Sequence, residues 1–309
     1  MPKTKLRIVR RSANGMTNGK PLENAKQHAN FEDATRLELL VNARPNRPGV
    51  CLGIPTTGII RFEWHHAFTG IIIPTNWEWS SVVQGMISTL GYTVAQARNL
   101  IVQSFLASGR QWLFFLDHDV ICPPNSFIWM DQHIRKPRSP VIGGLYYTKG
   151  SPSEPLIYRG RGNGSYQNFK LGDKVWCDGM GMGFTIIHRS VLQYLYDHSP
   201  VLDVSGVKVR HVFSTPRQTF MDPESGLWAR TVGTEDMYFL DRIREEKVLE
   251  KFPQWEHLAG RKYPFLVDTR MFCQHIELNG TTYPLEREQL PGFPEWQQMM
   301  ASRKWAARD

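Results

Sequence analysis

Residues 112–119 read Trp-Leu-Phe-Phe-Leu-Asp-His-Asp, and this stretch decides the fold. From Trp112 to Leu116 every side chain is apolar, with no polar alternation, so a strand here is buried on both faces. Strands of that kind occur where helices cover both sides of a parallel sheet. The strand runs straight into Asp117-His118-Asp119. Two carboxylates two positions apart are poorly suited to a core and must face solvent or a cation. They fall beyond the carboxyl end of the strand, where open α/β sheets bind ligands. Carboxylate oxygens suit Mg²⁺ or Mn²⁺, which keeps positions open for substrate phosphates. The plainer reading of the triplet is an Asp-rich turn.

The α/β pattern continues on both sides. Upstream, Gly49–Ile54 reads as a short buried strand halted by Pro55-Thr56-Thr57-Gly58. Thr93 can cap a helix through about Ser108, with Val94, Ala97, Ile101 and Phe105 on one face and Gly109 as its stop. Downstream come a Pro-started helix from Pro123 to about Ile134 and a strand at Val141–Leu145. A Gly-, Arg- and Ser-rich loop at 159–165 and the strand Phe184–Ile187 follow. Helices from Ser190 and Thr234 and strands near Phe265–Val267 and Met271–Ile276 complete the pattern. The prediction is one catalytic domain over 46–280, built on a mostly parallel sheet flanked by helices. A basic mobile arm with a helix over 23–45 precedes it, and a C-terminal extension over 281–309 follows.

Composition narrows the function classes. With 41% hydrophobic and 21% charged residues the chain has material for a core, which argues against a disordered or fibrous protein. The net charge of +8 sits at the ends: residues 1–22 hold six Lys or Arg and no acid, and residues 23–300 are formally neutral. A purely nucleic-acid-binding protein is thereby disfavoured, although the basic termini keep nucleic acid open as a partner. Cys51, Cys122, Cys177 and Cys273 form no C-x-x-C pair and read as free thiols. With no secretory h-region and no membrane-spanning run, the expectation is a cytoplasmic protein.

Several further features carry chemistry. Glu235 and Asp236 stand in the first turn of a helix, where acids complement the helix dipole; of an adjacent pair, one can cap while the other takes a proton from an attacking hydroxyl. His275 lies in an apolar strand, either as a structural histidine or as a distant partner to Asp117 and Asp119 on a metal. The glycines of Gly179–Gly183 let backbone approach a ligand or form a bulged strand, and they do not make a dinucleotide fingerprint, so a nicotinamide enzyme is disfavoured. Walker and H-E-x-x-H motifs are missing from the sequence. Trp64, Trp77, Trp79 and Trp176 read as loop residues whose rings either stack on sugars and bases or simply pack. The Arg159–Tyr166 loop is either a lid or a connection.

The order of these motifs resembles GT-A-type glycosyltransferases, particularly the family 2-like enzymes of bacteria and their phages. The resemblance covers about residues 49–277. It rests on Ile54-Pro-Thr-Thr-Gly58, Ala97-Arg98-Asn99, Phe115-Leu-Asp-His-Asp-Val120 and Ile142-Gly-Gly-Leu-Tyr146. Asp178-Gly-Met-Gly-Met-Gly183, Thr234-Glu-Asp236 and Asp268 followed by His275 complete it. The likeness implies a GT-A, Rossmann-like fold and a metal-dependent transfer of sugar from a nucleoside-diphosphate sugar to a hydroxyl. It implies that Pro55, Thr56 and Thr57 border the nucleotide, that Arg98 lies near base or diphosphate, and that Asp117 contacts ribose or metal. Asp119 would be the principal ligand of Mn²⁺ or Mg²⁺, with His275 as partner, and Asp236 beside Glu235 the base. Gly181, Met182, Gly183 and Trp176 would border the acceptor, which could be a glycan, a small molecule or a modified DNA base. His118 departs from the usual acid or small residue at the middle of such a triplet. A nucleotidyltransferase would carry a lysine-containing loop after its first strand, and Pro55–Gly58 has none.

Overall fold

The computed structural model describes residues 49–74, 86–160, 164–221 and 228–306. The basic arm, the helix expected over 23–45, and Trp77 and Trp79 lie outside them. All described residues belong to the unit that runs from Asn46 to Asp309.

The first strand, β1 (Val50–Thr56), is buried from Val50 through Pro55. It runs through the proline at which the sequence reading stops it. The reason lies in its neighbours. Strand β2 (Ile87–Leu90) pairs in parallel with Gly53 to Thr56, whereas pairing with β3 (Trp112–Leu116) ends at Gly53. The Pro55 carbonyl turns to the β3 side and meets the His118 ring at 3.1 Å. An N–H on the same residue would face no strand there, so the proline removes no ladder bond.

The central sheet has seven strands in the order β2-β1-β3-β9-β5-β14-β7, with β5 at Val141–Leu145, β7 at Lys174–Cys177, β9 at Phe184–His188 and β14 at Phe265–Phe272. Strands β2, β1, β3, β5 and β14 run one way; β9, inserted between β3 and β5, and β7, at the edge, run the other. This is a mostly parallel α/β sheet, and every residue of β3 and β5 is buried, as apolar runs require.

Helix α1 (Phe62–Thr69) follows β1, and α2 (Val94–Ala107) packs on β1 and β2. A capping box between Thr93 and Gln96 starts α2, and Gly109, at φ +72°, follows its end. Ala97, Ile101 and Phe105 face the core, but Val94 is exposed, so the buried stripe begins one turn later than its spacing implies. Gly53 lets the helix settle on the sheet: a Cβ there would stand 2.5 Å from Ile101 Cγ2. Helix α3 (Ser126–Arg135) begins three residues after Pro123 and packs on β14. Helix α4 (Arg189–Asp197) packs on β9, and α5 (Glu235–Glu245) buries Phe239, Leu240 and Ile243 behind an N-cap at Thr234.

Short strands frame the sheet's carboxyl end. Strand β4 (Val120–Ile121) pairs with β15 (Gln274–Ile276), which pairs with β16 (Thr282–Tyr283); β6 (Ile157–Tyr158) pairs with β8 (Gly179–Met180). Two hairpins, β10 (Val201–Val204) with β11 (Val207–Arg210) and β12 (Arg217–Met221) with β13 (Trp228–Val232), lie between α4 and α5 in the chain. The segment read as an extension belongs to the core, since Leu290, Phe293 and Trp296, the first residue of α6 (Trp296–Ala306), are buried. All four cysteines are buried and none is in a disulfide. Among the described residues no helix is long and apolar enough to cross a membrane.

Gly144 in β5 is a sensitive point, because a Cβ there would lie 2.7 Å from both the Met271 carbonyl oxygen and Phe184 Cδ1. Gly144→Ala is expected to lower unfolding stability by about 1–3 kcal/mol, the usual cost of overpacking, in a urea titration.

Candidate functional site

Beyond Leu116 the chain turns sharply, with the Asp117 amide donating to the Gly183 carbonyl at 2.8 Å and the Val120 amide to the Asp117 carbonyl at 3.1 Å. The Trp64 indole donates to the Asp117 carbonyl at 2.9 Å from below. Trp64 is therefore a buried brace on α1 and not a loop ring open to sugars. The His118 ring is held between the Thr57 hydroxyl at 3.2 Å and the Pro55 carbonyl. A cleft of about 190 Å³ opens here, bordered by Pro55, Thr56, Thr57, Tyr92, Asp117 and Asp119. A second cleft of about 550 Å³, which shares Thr57, His118 and Asp119, continues past Lys149 to Leu278.

The turn sends its two carboxylates to different partners. Asp117 faces Arg98, whose Nη2 lies 3.0 Å from Asp117 Oδ2 and 3.6 Å from Glu235 Oε1, while Nη1 lies 3.4 Å from Asp236 Oδ1. The guanidinium is 5.1 Å from the Phe115 ring centroid and 5.9 Å from that of Phe213. Asn99 secures Phe213 by a reciprocal pair of bonds, its amide donating to the Phe213 carbonyl at 2.9 Å and its oxygen accepting from the Phe213 amide at 2.8 Å. With an Arg98 side chain only 2% exposed, contact with a base or diphosphate is closed to it. Its place on the inner face of α2 makes it an internal tie.

One guanidinium thus faces three carboxylates, and burial of that many charges is costly. Burial pushes the Asp236 carboxyl up to about 8 and that of Asp117 up to about 6, even with Arg98 opposing the shift. Burial also works against the charge on Arg98, but its carboxylate neighbours hold it above its ordinary range. Asp236 Oδ2 accepts from the Met182 amide at 3.2 Å. Its Oδ1, like Asp117 Oδ1, is buried without a hydrogen-bond partner among the described residues. Nε and Nη1 of Arg98 are likewise buried without a hydrogen-bond partner among the described residues, so the cluster is held by charge at ion-pair distance more than by directed bonds.

Asp119 lies on the other side, paired with the Lys149 ammonium. Burial opposes its ionisation, but His275 and Lys149 outweigh that and hold the carboxyl below its usual value. His275 is brought in by the register of β15, where it pairs with Val120 while the Ile276 amide donates to the Asp119 carbonyl at 2.8 Å. Its Nδ1 lies 2.5 Å from the Tyr147 carbonyl oxygen, which can only accept, so Nδ1 carries a proton and Nε2 is the nitrogen that offers a lone pair in the neutral ring. Burial lowers the His275 pKa, against the pull of the Asp119 carboxylate beside it. Among the described residues no three His, Cys, Asp or Glu side chains gather as a metal-holding group. Of the three residues expected on a cation, Asp119 and His275 are neighbours and Asp117 is turned to Arg98.

The glycine-rich loop makes room for protein side chains. A Cβ at Gly181 would fall 2.1 Å from the Tyr146 hydroxyl, and one at Gly183 would fall 3.0 Å from Asp117 Oδ2. The Gly183 amide donates to the Tyr146 hydroxyl at 2.7 Å, and the Tyr146 ring stands edge-on to His275. Gly181, Met182 and Gly183 therefore border Asp117 and Asp236. Trp176 does not join them: it sits on β7, four strand spacings from β3 in the sheet order, about 19 Å away, with Arg261 over its ring. In the Arg159–Tyr166 loop, Arg159 stacks on Tyr166 at 3.8 Å, and residues 161–163 lie outside the described residues. Lys149 and Tyr92 escaped the sequence reading; their only signal was a position in a loop following a strand. Phe213 had no local signal.

Arg98→Met leaves three buried carboxylates without their counter-ion and is expected to cost about 3–5 kcal/mol in denaturant unfolding. For Asp236, a carboxyl near 8 in the folded chain and about 3.9 unfolded means that folding takes up a proton between those values. Its contribution to stability therefore falls as pH rises from about 4 to about 8. Comparing Asp236→Asn with the parent at pH 5 and pH 8, Tm should move in the variant's favour at the higher pH; an unchanged gap would contradict the raised pKa.

No family model and no curated protein matches the chain. Among solved structures, the crystal structure of A197 from STIV is similar over 74% of this chain and 85% of that one, at 17% identity and a TM-score of 0.45.

Proposed function

We propose that the chain is a GT-A-type glycosyltransferase that moves a sugar from a nucleoside-diphosphate donor to an acceptor hydroxyl with the help of Mn²⁺ or Mg²⁺. One observation carries this reading. At the carboxyl ends of β1 and β3, a cleft bordered by Pro55, Thr56, Thr57, Asp117 and Asp119 shares Asp117 with a buried cluster in which Arg98 ties it to the carboxylate pair of α5. Ligands bind at that end of such sheets.

In this reading Pro55, Thr56 and Thr57 flank the nucleotide, and Asp117, which borders the same cleft, accepts a hydroxyl of the ribose or sugar. The Asp119 carboxylate and the neutral His275 ring, through Nε2, are the groups that would hold a hard divalent cation. When bound, that cation neutralises the departing diphosphate. Asp236 acts on the acceptor. Its Oδ2 is fixed by the Met182 amide, so Oδ1 is the oxygen that receives the acceptor proton. Arg98, which also faces Glu235, holds that carboxylate in place, and the Gly181–Gly183 backbone shapes the approach to it.

Incubation with Mn²⁺ and a panel of UDP-, GDP- and dTDP-sugars, read by mass spectrometry, should show nucleotide release with one donor class. Asp119→Ala should abolish turnover and metal-dependent donor binding. Asp236→Asn should spare donor binding and slow transfer by about 10²–10⁴-fold, the range for a lost general base. Unchanged rates in both variants would refute the assignment.

A further inference from the structure

We propose that Lys149 is the diphosphate-binding cation of this site and that it shares Asp119 with the divalent metal, giving up the carboxylate when metal and nucleotide arrive. The inference rests on the donor and metal reading above. It starts from a contact that reading does not use, the pairing of the Lys149 ammonium with Asp119 Oδ2.

Lys149 is positioned for this by a tight loop after β5. The Thr148 amide donates to the Glu154 carbonyl at 2.8 Å, the Glu154 amide to the Thr148 hydroxyl at 3.0 Å, and the Leu156 amide to the Tyr146 carbonyl at 2.9 Å. The same segment supplies the Tyr147 carbonyl that orients His275. One stretch of chain therefore places both cationic or metal-binding neighbours of Asp119. The Lys149 side chain is 32% exposed, and it lines the 550 Å³ cleft with Thr57, His118 and Asp119.

The other cation in that wall, Arg61, is occupied: it pairs with Glu63 and donates to the Leu278 carbonyl at 2.9 Å. Among the described residues Lys149 has Asp119 as its single carboxylate partner. An ammonium and a divalent ion repel one another, so both cannot hold the same oxygen. A lysine on a four-carbon stem can swing to a nearby phosphate while keeping its charge. An ion pair with both side chains about a third exposed is open to solvent screening and to exchange of this kind.

The step balances without a further reactant. The bond from sugar C1 to the diphosphate oxygen breaks with its electron pair on that oxygen, beside Lys149. The acceptor oxygen bonds to C1, and its proton passes to Asp236. Lys149 contributes charge only and exchanges no proton.

The test is calorimetric titration of the full chain, with Mn²⁺ alone and, separately, with UDP, GDP or dTDP in the presence of a chelator. In Lys149→Met, Mn²⁺ affinity should rise about fivefold, because the competing ammonium is gone. Metal-free affinity for the preferred nucleoside diphosphate should fall about tenfold, from loss of a charge-assisted bond. Lys149→Arg, which keeps the charge, should stay near the parent in both titrations. If the parent binds Mn²⁺ and a nucleotide but Lys149→Met leaves either affinity unchanged, or weakens Mn²⁺ binding, the sharing of Asp119 is overturned and the glycosyltransferase reading stands. If the parent binds neither probe, that reading falls and this inference with it.

Discussion

A single buried guanidinium organises this site. Arg98 reaches Asp117 at the end of β3 and the acidic pair at the head of α5, and its plane rests against Phe115 and Phe213. Carboxylates this close would repel one another and shed their charge into bound protons without a cation between them. Arginine suits the task because its planar fork presents several donors and keeps its charge under burial. The neighbouring Asn99 has a matching role, since its two bonds to Phe213 hold one of those two rings. The pair Arg98-Asn99 thus sets the chemistry of one wall from the concealed side of α2.

The sheet order explains how those groups meet. Strand β9 lies between β3 and β5, so the loop that precedes it, Gly181–Gly183, arrives at the ends of both. That loop receives the Asp117 amide at the Gly183 carbonyl and gives the Met182 amide to Asp236. Close approach there is possible only with hydrogen in place of a side chain, because Tyr146 and Asp117 fill the space a Cβ would take. The glycines are a packing requirement first, and the acceptor-side surface follows from it.

On the other side of the turn the controlling element is the small sheet of β4, β15 and β16. It carries His275 to Asp119 by register alone, and the loop after β5 fixes the imidazole by the Tyr147 carbonyl. The two aspartates therefore have separate offices. Asp117 is bound into the buried Arg98 cluster at the cleft's edge, and Asp119 faces the cleft with a lysine and a histidine around it.

Much of this was legible along the chain. The run Trp112–Leu116, the Thr93 cap and the acidic first turn after Thr234 are short-range patterns, settled by side-chain sterics and local hydrogen bonds, and they stand as read. So does the grouping of Pro55, Thr56 and Thr57 with Asp117, because strand ends in a parallel sheet share one edge. The inward turn of Arg98, the burial of Trp64 under the Asp117 carbonyl and the far-edge place of Trp176 were decided by tertiary structure. Each depends on which strands lie side by side and which helix face meets them. Spacing within the chain carries no term for that: a buried arginine or tryptophan obeys the same local periodicity as an exposed one, and only packing of distant segments tells them apart.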